Sequence, residues 1–318
     1  MTSTNSEVMI LKYATRVNSF LRENSDLVNA LAEIGSIDSL DYVDLNYPEH
    51  FSLYSVAEVG GLLEKNNLKL SAINIRFRDE FLHGVFTHPD ADVRKKAVNL
   101  CIEAGNAAKE LNGTQMILWL SYDGYDYPFQ MDYCIAWKRI RECVQAVCKA
   151  VDIPVSIEYK PYEERSNTFM DSYASTLLMV QQCGCPNLGV TIDVCHMLMK
   201  KESPAMAAAL LLQDKKLFTV HLNDSEGSFD DGLMIGAIHP FKILELFYYL
   251  KKNSYDGIIY FDTFPKRESA VRETTTNLAM CKKMESLINT IGLEKLNKII
   301  QDQDAILAME MMNSCFID

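Results

Sequence analysis

The feature that most constrains this chain is one pattern repeated eight times along 318 residues: an apolar run of strand character, then a stretch of helical period. The runs are K-Y-A-T-R-V-N-S-F (12–20), D-Y-V-D-L-N-Y (41–47), L-S-A-I-N-I-R-F (70–77) and T-Q-M-I-L-W-L-S (114–121). They continue with V-S-I-E-Y-K-P (155–161), L-G-V-T-I-D-V (188–194), L-F-T-V-H-L-N-D (217–224) and G-I-I-Y-F-D-T-F (257–264). Between them lie D-V-R-K-K-A-V-N-L-C-I-E-A-G-N-A-A-K-E-L, P-A-M-A-A-A-L-L-L and H-P-F-K-I-L-E-L-F-Y-Y-L-K-K, with apolar residues three and four apart. Eight β-then-α units predict an α/β fold closed into a (β/α)8 TIM barrel. No low-complexity or Pro/Gly-rich stretch divides it. The expected division is a barrel over 1–267, and over 268–318 a last barrel helix with a C-terminal helical extension. The end of that extension, L-E-K-L-N-K-I-I-Q-D-Q-D-A-I-L-A-M-E-M-M, is amphipathic and Met-rich, so it should pack on its own barrel or on a neighbouring subunit.

Composition narrows the function classes. Hydrophobic residues make up 48% of the chain, enough for a sizeable core, and the net charge is −12. An acidic surface repels a phosphate backbone, so a nucleic-acid partner is not expected. The start lacks a basic segment followed by an apolar one, and no apolar run reaches the roughly 18 residues that span a bilayer. A cytoplasmic protein with no membrane partner is expected. The nine cysteines are scattered without zinc-type spacing, which suits reduced, mostly buried thiols.

Barrel chemistry sits at the C-terminal ends of the strands. Strand five ends with Glu158 and Lys160, strand six with Asp193 and His196, strand seven with His221, Asn223 and Asp224, and strand eight with Asp262. Taken singly, a histidine there is ordinarily a satisfied core residue and an aspartate at a βα junction a helix cap. Four adjacent strands delivering such groups to one rim is another matter. Glu158, Asp193, His221 and Asp262 should converge as ligands of one divalent metal. Three carboxylates and an imidazole suit Mn²⁺, Mg²⁺ or Co²⁺, with Mn²⁺ first. His196 points to a second metal or substrate position, to which F-D-D-G-L-M-I-G adds Asp230 or Asp231. The segment after strand four, W-L-S-Y-D-G-Y-D-Y-P-F-Q, offers flat walls in Trp119, Tyr125 and Phe129, and hydroxyl-binding groups in Asp123 and Asp126. Phe264 and His50 are further substrate contacts by this reading, as is Asn223.

These motifs resemble the xylose isomerase-like TIM-barrel family of sugar isomerases and epimerases, over nearly the whole chain. E-x-K-P (Glu158, Lys160, Pro161) resembles the strand-five motif of xylose isomerase, and D-x-x-H (Asp193, His196) its E-x-x-H with a shorter acid. H-L-N-D places His221 where rhamnose isomerase also has a histidine; F-D-x-x-P (Asp262) resembles the last metal ligand. F-T-H-P-D-A-D-V-R-K-K-A (86–97) is similar to the segment after strand three. Two departures stand out. D-D-G-L puts Gly232 at the second Asp of D-x-D-L, and Asn46, followed by His50, stands where the family carries a catalytic His.

The resemblance implies a metal-dependent isomerase that interconverts an aldose and a ketose, with Lys160 donating near C1 and Glu158 beside it, working as a homodimer or homotetramer on a small sugar. No Gly-rich phosphate cradle or rim arginine cluster is evident in the sequence, which favours a free sugar over a phosphorylated one. The rivals are a keto-sugar 3-epimerase on the same barrel, a C-glycoside-cleaving lyase subunit, and a barrel that only binds sugar.

Overall fold

The structure, a computed structural model, describes residues 11–24 and 26–315. Its frame is a closed barrel of eight parallel strands, numbered here in chain order. They are β1 (Lys12–Arg16), β2 (Tyr42–Tyr47), β3 (Lys69–Ile75), β4 (Gln115–Trp119), β5 (Val155–Glu158), β6 (Leu188–Asp193), β7 (Leu217–Leu222) and β8 (Ile258–Phe261). Each pairs with its chain neighbours, and β1 closes on β8. Around and after them run α1 (Val17–Asn24), α2 (Leu27–Gly35), α3 (Val56–Lys65), α4 (Ala91–Glu110), α5 (Tyr133–Ala150) and α6 (Tyr173–Cys183). The rest are α7 (Val194–Met199), α8 (Pro204–Gln213), α9 (Pro240–Lys252), α10 (Ala270–Ile291), α11 (Leu293–Asp302) and α12 (Ala305–Ser314).

All eight expected strands are present, and the differences lie at their ends. The first run stops at Arg16 because V-N-S-F-L-R-E-N places Val17, Phe20 and Leu21 at helical spacing, and Val17 and Phe20 are fully buried. Strands five, seven and eight are shorter than their apolar runs. Residues 159–161, 223–224 and 262–264 leave the ladder and become the rim. The main core lies between strands and helices, joining Leu45, Ile73, Ile157 and Val190 to helical residues such as Leu31, Ala104, Val144 and Leu246. The barrel interior is a separate, small apolar group of Ala14, Ile258 and Tyr260. Above it are buried hydroxyls: Ser156 Oγ lies 2.7 Å from Thr191 Oγ1 and 3.0 Å from Gln115 Oε1. None of the nine cysteines is bonded to another. Among the described residues no helix is long and apolar enough to cross a membrane.

The segment after β4 folds back as a small antiparallel sheet that pairs Gly124–Tyr125 with Ser166–Thr168 and the latter with Tyr162–Glu163. Its anchor is Asp123, buried, whose carboxylate accepts from the backbone N–H of Val85, Phe86 and Thr87 at 2.8, 3.1 and 2.8 Å, and from the Thr87 hydroxyl at 2.6 Å. Asp123 thus ties two rim loops together and does not face a ligand. Asp123→Ala would leave these buried donors without an acceptor, so it should cost about 3–5 kcal/mol. Urea unfolding should show a lower midpoint at unchanged slope; an unchanged midpoint would refute the anchoring role.

Candidate metal centre and cavity

Side chains alternate along a strand, and residues paired across a parallel ladder share a face. Asp193 pairs with His221, His221 with Tyr260, Tyr260 with Ala14, and Trp119 with Glu158. Asn46 pairs with Asn74. Two residues beyond an inward position comes the next inward one, so Arg16, Arg76, Lys160, Asn223 and Asp262 follow from the same register. Twelve residues, among them Arg16, Arg76, Trp119, Lys160, Asp262 and Phe264, line a cavity of about 180 Å³ at this end of the barrel.

At its floor the ligand atoms of Glu158, Asp193, His221 and Asp262 all lie within 4.8 Å of one another. His221 Nδ1 is 3.5 Å from Glu158 Oε1 and 4.0 Å from Asp262 Oδ2, and neither ring nitrogen has a hydrogen-bond partner among the described residues although both are buried. Its ring rests on Tyr260, centroids 4.6 Å apart. Burial pushes Asp193 up to about 7; His196 opposes this, while the carboxylates of Asp230, Asp262 and Glu158 add to it. Burial raises Asp262 too, against the pull of Arg16, whose Nε lies 3.4 Å away. For His221 burial favours the neutral ring, yet the surrounding carboxylates, Glu158 foremost, raise it to about 9. Glu158 is held below its usual value: burial is the largest influence and works against this, but His221, His196 and Arg76 together outweigh it. So many carboxylates in one dry place demand positive charge. A divalent cation fits the vacant ring nitrogens and the hard donor set.

Asp193 is held from behind. Its carboxylate caps α7 by accepting the His196 N–H at 3.0 Å, and accepts the Asn223 side-chain amide at 3.1 and 3.3 Å. Asn223 also donates to the Asp262 carbonyl at 3.1 Å and accepts the Cys195 N–H at 2.8 Å. It is a fully buried brace between β6, β7 and β8, not the substrate contact that the sequence suggests.

Next to the cluster stands a second charged group. His196 has acceptors at both nitrogens, the Tyr159 carbonyl 2.8 Å from Nδ1 and Asp230 Oδ2 3.3 Å from Nε2. Two acceptors call for two N–H groups, hence the imidazolium. Burial alone would discharge His196, but Asp193 and Asp230 raise its pKa to about 9. The same Asp230 oxygen is 3.1 Å from Lys160 Nζ, which also reaches Glu163 at 2.6 Å and stands 5.4 Å over the Trp119 ring. Burial would lower Lys160, yet Asp230 and Glu163 hold it above its usual value. His196 and Asp230 therefore meet as the sequence suggests, but as a pair with Lys160. Among the described residues, one more group lies close enough to hold an ion: Asp193, Cys195 and Asp230.

Several expected contacts lie elsewhere. Asp231 accepts from Ser225 Oγ at 2.8 Å and Glu226 N–H at 2.7 Å, so it closes its own loop. Asp126 bonds Ser166 Oγ and pairs with Arg165 at 3.3 Å within the small sheet. Phe129 is 102% exposed at φ +64°, too far out to wall the cavity. His50 is buried, with Nδ1 accepting the Asn46 N–H at 3.0 Å. Trp119 and Phe264 do line the cavity. The expected absence of rim arginines is overturned: Arg16 and Arg76 line it, together with Asn74 and Tyr260. Asp44, buried beneath them, accepts from Asn74 Nδ2 at 3.0 Å, and burial raises it to about 6 despite His221. Strand alternation in Y-A-T-R and I-N-I-R was the signal for both arginines.

Comparison with known proteins bears on the family and the fold. A probable sugar isomerase of Rhizobium meliloti (strain 1021) is 24% identical over 286 residues, which is 84% of this chain and 66% of the relative. A probable sugar isomerase of Mesorhizobium japonicum is 28% identical over 182 residues, 56% of this chain and 41% of the relative. The chain thus spans less than two thirds of the length of these curated relatives. A solved structure of a D-tagatose 3-epimerase-like protein superposes with a TM-score of 0.73 at 19% identity, covering 88% of this chain and 99% of that one; this likeness is one of fold. Residues 28–284 match the family described as xylose isomerase-like TIM barrel, and the chain belongs to that family.

Proposed function

We propose that the protein is a divalent-metal-dependent sugar isomerase that interconverts an aldose and a ketose by moving a hydrogen between C1 and C2. The observation that supports this best is Lys160: a buried ammonium, kept charged by Asp230 and Glu163, facing the cavity beside the carboxylate–imidazole cluster. Glu158, Asp193, His221 and Asp262 would hold the ion, with Mn²⁺ favoured by the hard donor set. When bound, the ion supplies Lewis-acid polarisation of substrate oxygens. Lys160 donates to the carbonyl oxygen as negative charge develops there, a contact stronger in the transition state than in the ground state. Trp119 and Phe264 offer flat faces to the carbon skeleton. Asp230, itself met by His196, and Glu163 hold the Lys160 ammonium in place.

A keto-sugar 3-epimerase is the second reading. Glu158 and Asp262 approach His221 Nδ1 from two strands, at 3.5 and 4.0 Å, and a carboxylate pair can exchange a proton from either face of a carbon. The 3-epimerase-like structural neighbour fits this reading as well. Assembly as a homo-oligomer belongs to the same proposal, supported by exposed Ile306, Leu307 and Met309 on α12. A monomer by light scattering would remove it.

Two outcomes test the site. Asn223→Ala frees the Asp193 carboxylate, so Mn²⁺ affinity measured by calorimetry should fall about 10–100-fold. Affinity within twofold of wild type, on the order of experimental scatter, would contradict the brace. Lys160→Met should lower aldose–ketose turnover by about two to four decades with Mn²⁺ content near normal. If Lys160→Met is mild while Asp262→Asn abolishes exchange at C3, the epimerase reading takes its place.

A further inference from the structure

The cavity's charges pair off unevenly. Asp262 faces Arg16, Asp230 faces Lys160 and His196, and Glu158 faces His221 and His196. Among the described residues Arg76 has no ion pair or side-chain hydrogen bond; its guanidinium lies 6.0 Å from the centre of the Trp119 ring. Glu49, whose charge Arg76 stabilises, is already taken by Asn18 at 2.9 Å and Asn46 at 3.1 Å. Arg16 uses only Nε toward Asp262 and stacks on Phe264 at 4.6 Å. Around the barrel β3, which leads into Arg76, stands opposite β7, which carries His221. The unpaired guanidinium therefore faces the candidate metal cluster across the mouth.

A second orphan donor lies near both arginines. His50 Nδ1 accepts the Asn46 N–H, which leaves the proton on Nε2, and Nε2 is buried with no partner. His50 is 5% exposed. Burial keeps the ring neutral, down to about 4; Glu49 opposes this, while Arg76 and Arg16 reinforce it. Two guanidinium groups with free N–H forks and one buried N–H are donors without an acceptor. Of these only Arg16 Nε and His50 Nε2 are buried without a hydrogen-bond partner, and a buried donor left unsatisfied costs about 1–3 kcal/mol; the half-buried Arg76 guanidinium lines the cavity, open to a ligand.

We propose that the substrate carries an anionic group, a carboxylate or a phosphate, which Arg76 and Arg16 bind on the β1–β3 side of the cavity. This rests on the sugar-converting reading and specifies its substrate class. Planar guanidinium forks suit both oxyanions, whereas a neutral hydroxyl would leave most of their N–H groups unused.

The test is a matched set of probes on Mn²⁺-loaded protein: D-fructose, its C6 carboxylate D-fructuronate, and D-fructose 6-phosphate. Calorimetry should show at least one anionic probe binding about tenfold or more tighter than fructose, the scale of one charge-assisted contact. The two anions separate carboxylate from phosphate. In Arg76→Gln the ratio of anionic to neutral affinity should collapse toward one. Equal affinity for all three probes in the wild type would overturn the proposal. So would a preference that survives Arg76→Gln, or a loss equal for all probes, which marks a structural role. Product analysis on the same samples keeps the two readings apart. Anion preference without hydrogen transfer sinks only the isomerase assignment; conversion of fructose without anion preference sinks only this one.

Discussion

The structure depends on crowding carboxylates at the rim of a barrel. Glu158, Asp193, Asp230 and Asp262 come from four consecutive β-strands or the loops after them, and all are largely buried. Left alone they would repel each other by several kcal/mol per dry ion, or take up protons instead. The upward shift of Asp193 shows that pressure. What makes the arrangement affordable is the cations placed against it: Arg16 on Asp262, Lys160 and His196 on Asp230, and His221 on Glu158. The hydrogen-bonded ladder fixes the spacing, because no strand can turn its end away without breaking its pairing with two neighbours.

Two of these groups, Asp193 and His196, and the neighbouring Asp44 are in turn aimed by polar partners that have no charge to offer. Asn223 holds Asp193, the Tyr159 carbonyl sets the His196 ring, and the Ala72 N–H and the Asn74 amide hold Asp44. Neutral donors and acceptors orient a carboxylate without cancelling it, so the cluster keeps its affinity for a cation. The short helix α7 serves this end. All six of its residues are buried, and it turns the chain so that His196 returns to the rim after β6, beside the neighbouring strand that carries His221.

How far the sequence was readable follows from which rules apply where. Parallel strands buried on both faces read as apolar runs, so all eight were visible, and the rule that barrel chemistry gathers at strand ends led to Glu158, Asp193, His221 and Asp262. Arg16 and Arg76 obey the same alternation but were passed over. Strand one was read through its helix into Phe20, and arginines at a strand end are ordinarily solvated. Asp126, Phe129 and Asp231 failed for another reason. They lie in loops, where no period relates position to direction, and local hydrogen bonds within 126–130 and 225–231 decide where they point. Asn223 stands where the strand-end rule places it, but its role follows from contacts that no sequence pattern encodes: its amide is already spent on Asp193 and Asp262.

Gly232 shows how a local backbone demand can reshape a site. It sits at φ +58°, and a Cβ there would lie 2.4 Å from the Phe264 ring. Its carbonyl also accepts the Phe264 N–H at 2.8 Å, so the loop after β7 and the cavity wall after β8 are joined at this residue. Glycine tolerates that conformation at no steric cost, and an aspartate would not fit. The acid that the family motif has here is thereby excluded, and Asp231, its neighbour, is turned into the loop. One carboxylate of the pair remains, Asp230, and its oxygen is met by an ammonium and an imidazolium. Where two acids in that loop could share an ion, one acid between Lys160 and His196 is already neutralised. The positive charge beside the main cluster is then carried by side chains, fixed in place before any ligand arrives.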